Sequence, residues 1–372
     1  MSKTSGSDRI RVGIIGASTP SGGSTYAHGG WATSAHLPAL QTSPRFRVTA
    51  VSTTRQESAA ETARRFDVPH AFSSFEPLVE HPEVDLVVVS VRAPEHARLV
   101  RAALAAGKQV FCEWPLGVSL AETTELTERA RVAGVRTVIG LQRRQAPGVR
   151  YLRDLLQEGY VGKVRSVTLQ VRLSLLGLKR PKASAYTADA ANGVNVLATI
   201  TAHFLDTVLA AVGDVDSVSG LVARQFEHTT LVETEEVIPV TAPDQVLFHG
   251  TLASGAVLSA HVEAGKRNGG VISCTITGSE GDLVLSQDLT VSGARGDDQP
   301  LAPLPTPERY VSSPKGALSD DAHQMALLYA AFARDVDAGT SLTPGFEHAL
   351  ALHRLLDTVA ESSRTGQRLP VR

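Results

Sequence analysis

Residues 9–17 read "RIRVGIIGA", a compact apolar and β-branched run that stops on Gly16. Unbroken apolar character, rather than alternation, marks a strand covered on both faces, as in a parallel sheet. Further runs of this kind follow: "FRVTAVS" (46–52), "DLVVVSV" (85–91), "KQVFCEW" (108–114) and "RTVIGLQ" (136–142). Between them lie helical stretches, "SAAETARRF" (58–66), "PEHARLVRAALAAG" (94–107) closed by Gly107, and "SLAETTELTERARVAG" (119–134). Strand and helix alternate to about residue 145. The pattern predicts a doubly wound parallel sheet, an α/β Rossmann domain over 1–145.

The texture then changes. Residues 146–159 read as helix, and "KVRSVTLQVRLSLL" (163–176) alternates as a strand with one covered face. Strand-like segments continue through 216–225, 244–265 and 270–293, with hairpin turns expected at Ser254-Gly255 and Glu280-Gly281-Asp282. These predict a second domain over 146–372, of α+β type, with a mostly antiparallel open sheet. Residues 295–318, rich in Pro, Gly and Asp, read as a surface loop. From Asp320 the chain reads as helical, and the last helix, about 346–364, is expected to pack back on the first domain. An open sheet face with apolar alternation tends to pair with its own copy, so a homodimer or homotetramer is expected.

Composition narrows the partners. The 372 residues carry a net charge of −2, with 42% hydrophobic and 20% charged residues, an ordinary globular balance. Such a chain has no basic field for nucleic acid. No apolar run approaches the roughly 20 residues of a membrane span, so no membrane partner is expected. The two cysteines, Cys112 and Cys274, fit a reducing cytoplasm and show neither a disulfide framework nor metal spacing. His28, His36, His96 and the later histidines form no ligand cluster along the sequence, and no metal is expected.

A glycine directly after a first strand lets backbone approach a pyrophosphate, while the next helix offers free N–H groups. Gly16 stands there, but the tight G-x-G-x-x-G spacing is absent. Residues 17–30 form an insertion, and the helix is expected to start only near Gly29-Gly30-Trp31-Ala32. The same stretch also reads as a plain glycine-rich surface loop. After the second strand a carboxylate would bind both ribose hydroxyls and repel a 2′-phosphate. Here Ser52, Thr53, Thr54 and Arg55 occupy that end, and hydroxyls with a guanidinium suit a 2′-phosphate. NADP(H) is therefore preferred, with NAD(H) possible; the competing reading is a solvated strand end.

Taken together, "RVGIIGA" (11–17), "HLPAL" (36–40), "HARLVRAALAAGKQVFCEWPL" (96–116), "GYVGKV" (159–164) and "FEHALALHRLLDTVAESSRTGQR" (346–368) resemble the Gfo/Idh/MocA family of nicotinamide-dependent oxidoreductases. The likeness spans nearly the whole chain. It implies a Rossmann domain, a mostly antiparallel sheet domain and an active cleft between them. Within the family, "GGWATSAHLPAL", "CEWPLGVSLAE", "LQRRQAP", "ANGVNVLATITAH" and "PDQVLFHGTLASG" resemble the galactose-pathway repressor subgroup, which is non-enzymatic and binds nucleotide. The resemblance implies cofactor contacts at Gly16, Ser18, Gly30, Trp31, Ala32, Ser52 to Arg55, Val91, Arg92, His96, Glu113, Trp114 and Gln142. Glu113 is implied at the ribose. Substrate contacts are implied at Trp114, Arg144, Asn195, Thr199 and His203.

Typical members end the relevant strand Glu-Lys-Pro and place an Asp four residues before a His. In this chain the Lys becomes Trp114, the Asp becomes Thr199, and the His stays as His203. Trp114 donates one N–H but takes no proton, and Thr199 has no useful basicity. Two functions follow as expectations. One is an NAD(P)-dependent oxidoreductase acting on a hydroxyl or keto group of a sugar- or polyol-like substrate, with His203 as acid/base. Tyr186, Lys182 and Lys179 lie in the stretch just before and are candidates for a replacement acid. The other is a non-catalytic nucleotide- or sugar-sensing regulator. Trp114 itself reads either as core filling the lysine's volume or as a flat face for a sugar or nicotinamide ring.

Overall fold

A computed structural model describes residues 9–19 and 30–371. Its internal contacts divide the chain into two units, 1–142 with 313–350, and 143–312 with 351–372.

The first unit is built on six parallel strands: β1 (Ile10–Ile15), β2 (Phe46–Ser52), β3 (His70–Phe72), β4 (Leu86–Val89), β5 (Gln109–Glu113) and β6 (Thr137–Gly140). Their order is β3-β2-β1-β4-β5-β6, the arrangement of dinucleotide-binding sheets, with every pairing parallel. The expected Rossmann domain is present. All four residues of β4 are buried, as an unbroken Val/Leu run between two helical layers must be. The helix Leu120–Ala133 shows why the flanking elements form where they do. Ser119 caps it by accepting the Glu122 amide at 3.2 Å, and the Glu122 carboxylate reaches back to the Val118 amide at 3.0 Å. Gly134, at φ 64°, ends it.

The helix Asp320–Ala338 belongs to this first unit, although the sequence places everything after 146 in the second. Its Met325, Leu328, Tyr329 and Phe332 pack into one core with Val12, Ile14, Leu37, Val88 and Phe111. The last helix, Phe346–Thr365, contributes only Phe346–Leu350 here, where the Phe346 amide donates to Thr137 Oγ1 at 3.1 Å.

The second unit holds two sheets. Strands β7 (Ser166–Arg172), β8 (Lys179–Arg180), β9 (Val215–Ala223), β10 (His228–Leu231), β11 (Val237–Pro239), β12 (Gln245–Leu252) and β13 (Val257–Glu263) come first in the chain. They are followed by β14 (Val271–Thr277), β15 (Gly281–Ser286), β16 (Val291–Arg295), β17 (Ala302–Leu304) and β18 (Leu369–Pro370). Nine strands run β17-β16-β15-β14-β7-β13-β12-β9-β18, and three more run β11-β10-β8. In the large sheet only β13 and β7 pair parallel, so the mostly antiparallel expectation holds. Both expected hairpins form, and Gly255 takes φ 85° at the first turn. Residues 295–318 are not all loop: Ala302–Leu304 pairs with β16.

The large sheet has one covered face. Val246, Phe248, Leu258, Ala260 and Val262 point into the core, while Leu247, His249, Ser259 and His261 alternate with them on the other side. The run Ala190–Val212 has a mean hydropathy of 1.5 and by length and composition could cross a membrane, contrary to the expectation from the sequence. It is not one continuous helix, however. The backbone breaks at Gly193 (φ 65°), and regular helix resumes only as a 6-residue segment, Val196–Thr201, and an 11-residue one, Ala202–Val212. That length falls short of a span at about 1.5 Å per residue.

Candidate functional site

Five strand ends of the first unit supply the predicted cofactor residues. Gly16 and Ser18 follow β1, Ser52 to Arg55 close β2, Val91 and Arg92 follow β4, Glu113 and Trp114 end β5, and Gln142 follows β6. All leave the carboxyl side of a parallel sheet, which is where such folds bind ligands. Gly16 has no substitute. At φ 91° its bare Cα passes the end of β4 so closely that a Cβ would lie 2.2 Å from the Ser90 carbonyl. The Gly16 and Ala17 amides both donate to Ser52 O, at 2.9 and 3.2 Å, and tie the two strand ends together.

The helix after β1 begins at Ala32, as the sequence predicts, with Trp31 before it and Gly30 O accepting the Ser34 amide at 2.8 Å. Its first five residues, Ala32–His36, are wound as a π-helix before the α-helix Leu37–Gln41 takes over. Most of the 17–30 insertion, including His28 and Gly29, lies outside the described residues. After β2, Thr53 donates its hydroxyl to Arg55 O at 2.7 Å, and Arg55 stands exposed just before the helix Gln56–Phe66. There is no carboxylate at this strand end.

Glu113 is held by residues the sequence did not single out for the site. His36 Nε2 lies 2.9 Å from Glu113 Oε1, and His36 Nδ1 lies 2.7 Å from the hydroxyl of Tyr329. Both ring partners are fixed by burial: His36 and Tyr329 have no exposed surface. One proton arrangement satisfies every group. Tyr329 donates to Nδ1, and Nε2 donates to the carboxylate. Burial pushes the Tyr329 phenol well above its ordinary value, so it stays a donor. Gly140 completes the seat, because a Cβ there would come within 2.6 Å of Glu113 Oε2.

His96, implied as a cofactor contact, is corrected. It is 1% exposed, with its ring nitrogens 2.7 Å from Pro115 O and 3.0 Å from Val91 O. Burial holds this imidazole below its usual range, and in its neutral form it donates to one of the two carbonyls, according to its tautomer. It anchors the loops after β4 and β5 rather than meeting a ligand. Trp114 is 6% exposed, which favours its role as a packed side chain. Gln142 is buried with Oε1 unpartnered. Cys112 and Cys274 are both buried and free, and burial raises their thiols, Cys274 to about 12. His70 and His81, separated in the sequence by a strand and a short helix, come together in space with Glu83 on this unit.

The second unit carries His203 on Ala202–Val212, directly after the π-helical Val196–Thr201. Wide π turns recur at functional sites in helices. Asn195, implied for substrate, caps this segment by accepting the Ala198 amide at 2.9 Å. Thr199 buries a hydroxyl that has no partner, four residues before His203. Arg144 is engaged as well: its Nη1 lies 2.7 Å from Asp206, whose side chain is 2% exposed. The guanidinium therefore neutralises a buried carboxylate one turn past His203. Thr207 donates to the His203 carbonyl at 2.7 Å. Lys182 and Tyr186 lie on the 3₁₀ run Lys182–Ala188 of the same unit, and Lys179 is exposed on β8. The Lys182 amide donates to Glu233, and the Tyr186 carbonyl accepts from Asn192 Nδ2 at 2.7 Å.

Comparison with known proteins covers both units. Residues 10–141 match the family described as oxidoreductases with an NAD-binding Rossmann fold, and residues 147–287 match the C-terminal domain of Gal80p. The dehydrogenase aclE of Aspergillus oryzae is 33% identical over 261 residues, 68% of this chain and 69% of that protein. The galactose/lactose metabolism regulatory protein GAL80 of Saccharomyces cerevisiae is 29% identical over 326 residues, 79% of this chain and 72% of that protein. In fold, levoglucosan dehydrogenase, solved with NADH and L-sorbose, superposes with a TM-score of 0.86 at 20% identity, over 98% of this chain and 99% of that one. The strand order, the glycine at the end of β1, the two matched segments and the extent of the aclE match lead to one assignment: the chain belongs to the Gfo/Idh/MocA family of oxidoreductases.

Proposed function

We propose that the protein is an NADP(H)-preferring oxidoreductase that moves hydride at a hydroxyl or keto group of a small sugar- or polyol-like substrate. The observation that carries the reading is the end of β2, where an exposed guanidinium and two threonines stand with no carboxylate. A dinucleotide suits these strand ends: the bare Gly16 lets the end of β1 lie close against Ser90, and the helix beginning at Ala32 offers backbone amides to a pyrophosphate. Gly16, Ser18 and the Ala32 turn would hold the phosphates, Thr53 to Arg55 the ribose end, and Glu113 the nicotinamide ribose. When bound, the nicotinamide supplies the hydride acceptor or donor. The residues of the chain do the rest. His203 takes the hydroxyl proton as the C–H bond yields its electron pair, or returns that proton in the reverse direction. Trp114 and Thr199 move no proton, so Tyr186 or Lys182 supplies any second acid.

Relatives support a nicotinamide-dependent oxidoreductase acting on a sugar-like substrate. One similar protein is a dehydrogenase, and one similar fold was solved with NADH and a sugar. The measurement that tests turnover is coenzyme absorbance with purified protein across sugars, polyols and keto-sugars. Turnover with at least one is expected; coenzyme binding with no change across the panel would overturn the catalytic reading.

A second reading rests on a specific observation. The segment carrying His203 matches the C-terminal domain of Gal80p, a regulator by name in its relatives, and the Lys and Asp of typical members are absent. In that case the same cradle senses nucleotide or sugar without turnover, and His203→Ala leaves nucleotide affinity unchanged. The open sheet face, where Leu221 is 56% and Val257 is 55% exposed, supports a homodimer or homotetramer, checked by sedimentation at micromolar concentration. Two free, buried cysteines fit a cytoplasmic protein.

A further inference from the structure

Two histidines and a glutamate meet on the first unit at the end of the sheet opposite the cofactor residues. His70 opens β3, while His81 and Glu83 lie in the turn between the helix Glu76–Glu80 and β4. His81 and Glu83 precede β4, whose far end carries Val91 and Arg92. His70 Nε2 lies 3.0 Å from Glu83 Oε2, and the two imidazole centroids are 4.3 Å apart. The Glu83 amide donates to His81 Nδ1 at 3.1 Å. One ligand atom from each residue lies within 4.8 Å of the others. The Phe72 ring stands 6.3 Å from the His70 ring and 5.9 Å from that of His81, an apolar wall on one side of the group.

Two imidazoles with one carboxylate are a donor set of zinc sites. An isolated His–Glu pair explains His70 and Glu83, but it leaves the second ring, tilted 43° against the first, outside the pair. The hydrogen bond at His81 also selects a tautomer: with Nδ1 accepting the Glu83 amide, the proton sits on Nε2 and Nδ1 keeps the lone pair that a cation would take over. A cation can take the place of the exposed amide there, while the Nε2 proton of His70 leaves. Bonds of about 2.0–2.1 Å set tetrahedral donors roughly 3.3 Å apart, so the present group need only contract. The side chains allow it, since those of His70 and Glu83 are 35% and 52% exposed.

We propose that His70, His81 and Glu83 form a three-ligand site for a divalent transition-metal ion of the zinc class, with its fourth position open to water. The ion would fasten the short edge strand β3 to the chain entering β4. It would also act near the ribose end of the cradle, because the Phe72 carbonyl, at the other end of β3, accepts the Thr53 amide at 3.1 Å.

The test uses the full chain, untagged and stripped with a chelator. It is titrated with ZnCl2 in a calorimeter and with Co²⁺ followed by its visible absorption. One site per chain with a tetrahedral Co²⁺ spectrum is expected, and Mg²⁺ should give no saturable heat. His81→Ala and Glu83→Gln, surface changes checked by unchanged thermal melting in chelator, should each weaken the site at least tenfold. Absence of saturable Zn²⁺ binding would overturn the proposal. So would binding that survives both substitutions undiminished, since the ion would then sit elsewhere on the chain.

Discussion

The cofactor end of the first unit and the His203 helix of the second differ in how their polar groups are held. In the first, Glu113 rests on His36, His36 on Tyr329, and the Gly16 turn on Ser52, with Gln142 Oε1, which has no partner, an exception among the cofactor residues described. In the second, Arg144 is tied to Asp206, Asn195 is consumed as a cap, and Thr199 buries an unpartnered hydroxyl beside the one retained imidazole. A buried hydroxyl without a partner costs roughly 1–3 kcal/mol, and on the proposed function substrate or water completes it. The lesson is that binding and chemistry are separable in this fold. On the proposed function the cradle lies in the first unit and the proton transfer is assigned to His203 in the second.

That contrast can be broken most forcefully at His203. His203→Ala should lower kcat/KM by about a hundred- to ten-thousandfold in the coenzyme assay while NADPH affinity stays within about twofold. A parallel loss of affinity would show that the two halves are not separable.

Acid should weaken the first unit next. Asp335 is buried, which opposes ionisation, but hydrogen bonds from Thr340 and Thr343 outweigh that and bring its carboxyl down to about 2. Its folded value is depressed, so its stabilisation is complete above the unfolded value near 4 and disappears as pH falls from there toward 2. Roughly 2 kcal/mol should be lost over that interval, read by denaturant unfolding, and Asp335→Asn should flatten the profile.

Tyr329→Phe should be the gentlest change. It keeps the ring in the core and removes one hydrogen bond from His36, at a cost of about 1–2 kcal/mol in stability. Because Glu113 then loses its fixed support, NADPH affinity should fall several-fold. Unchanged affinity with lowered stability would reduce the Tyr329–His36 pair to packing alone.

Much of this was legible in the sequence, and for physical reasons. Strands buried on both faces must be continuous apolar runs, so β1, β4 and β5 stand out as "RVGIIGA", "DLVVVSV" and "KQVFCEW". Capping at Ser119 and Ser319 is equally local. What escaped depends on contacts between distant residues. His36 stands in the quoted "HLPAL", yet its partners are 77 and 293 residues away. The helix Asp320–Ala338 shows an apolar face without saying which sheet it covers. His96 stands among the cofactor contacts the resemblance implies, and only the folded chain shows both of its nitrogens facing carbonyls. His70 and His81 are separated by a strand and a short helix, which hides their meeting.

The central claim is that the strand ends of the first unit seat a phosphorylated dinucleotide, and calorimetric titration with NADPH and NADH tests it directly. Wild-type protein should bind NADPH more tightly, and Arg55→Ser, an exposed change, should weaken NADPH about tenfold or more while leaving NADH nearly unaltered. No saturable heat with either coenzyme, or equal affinities that Arg55→Ser does not move, would contradict it.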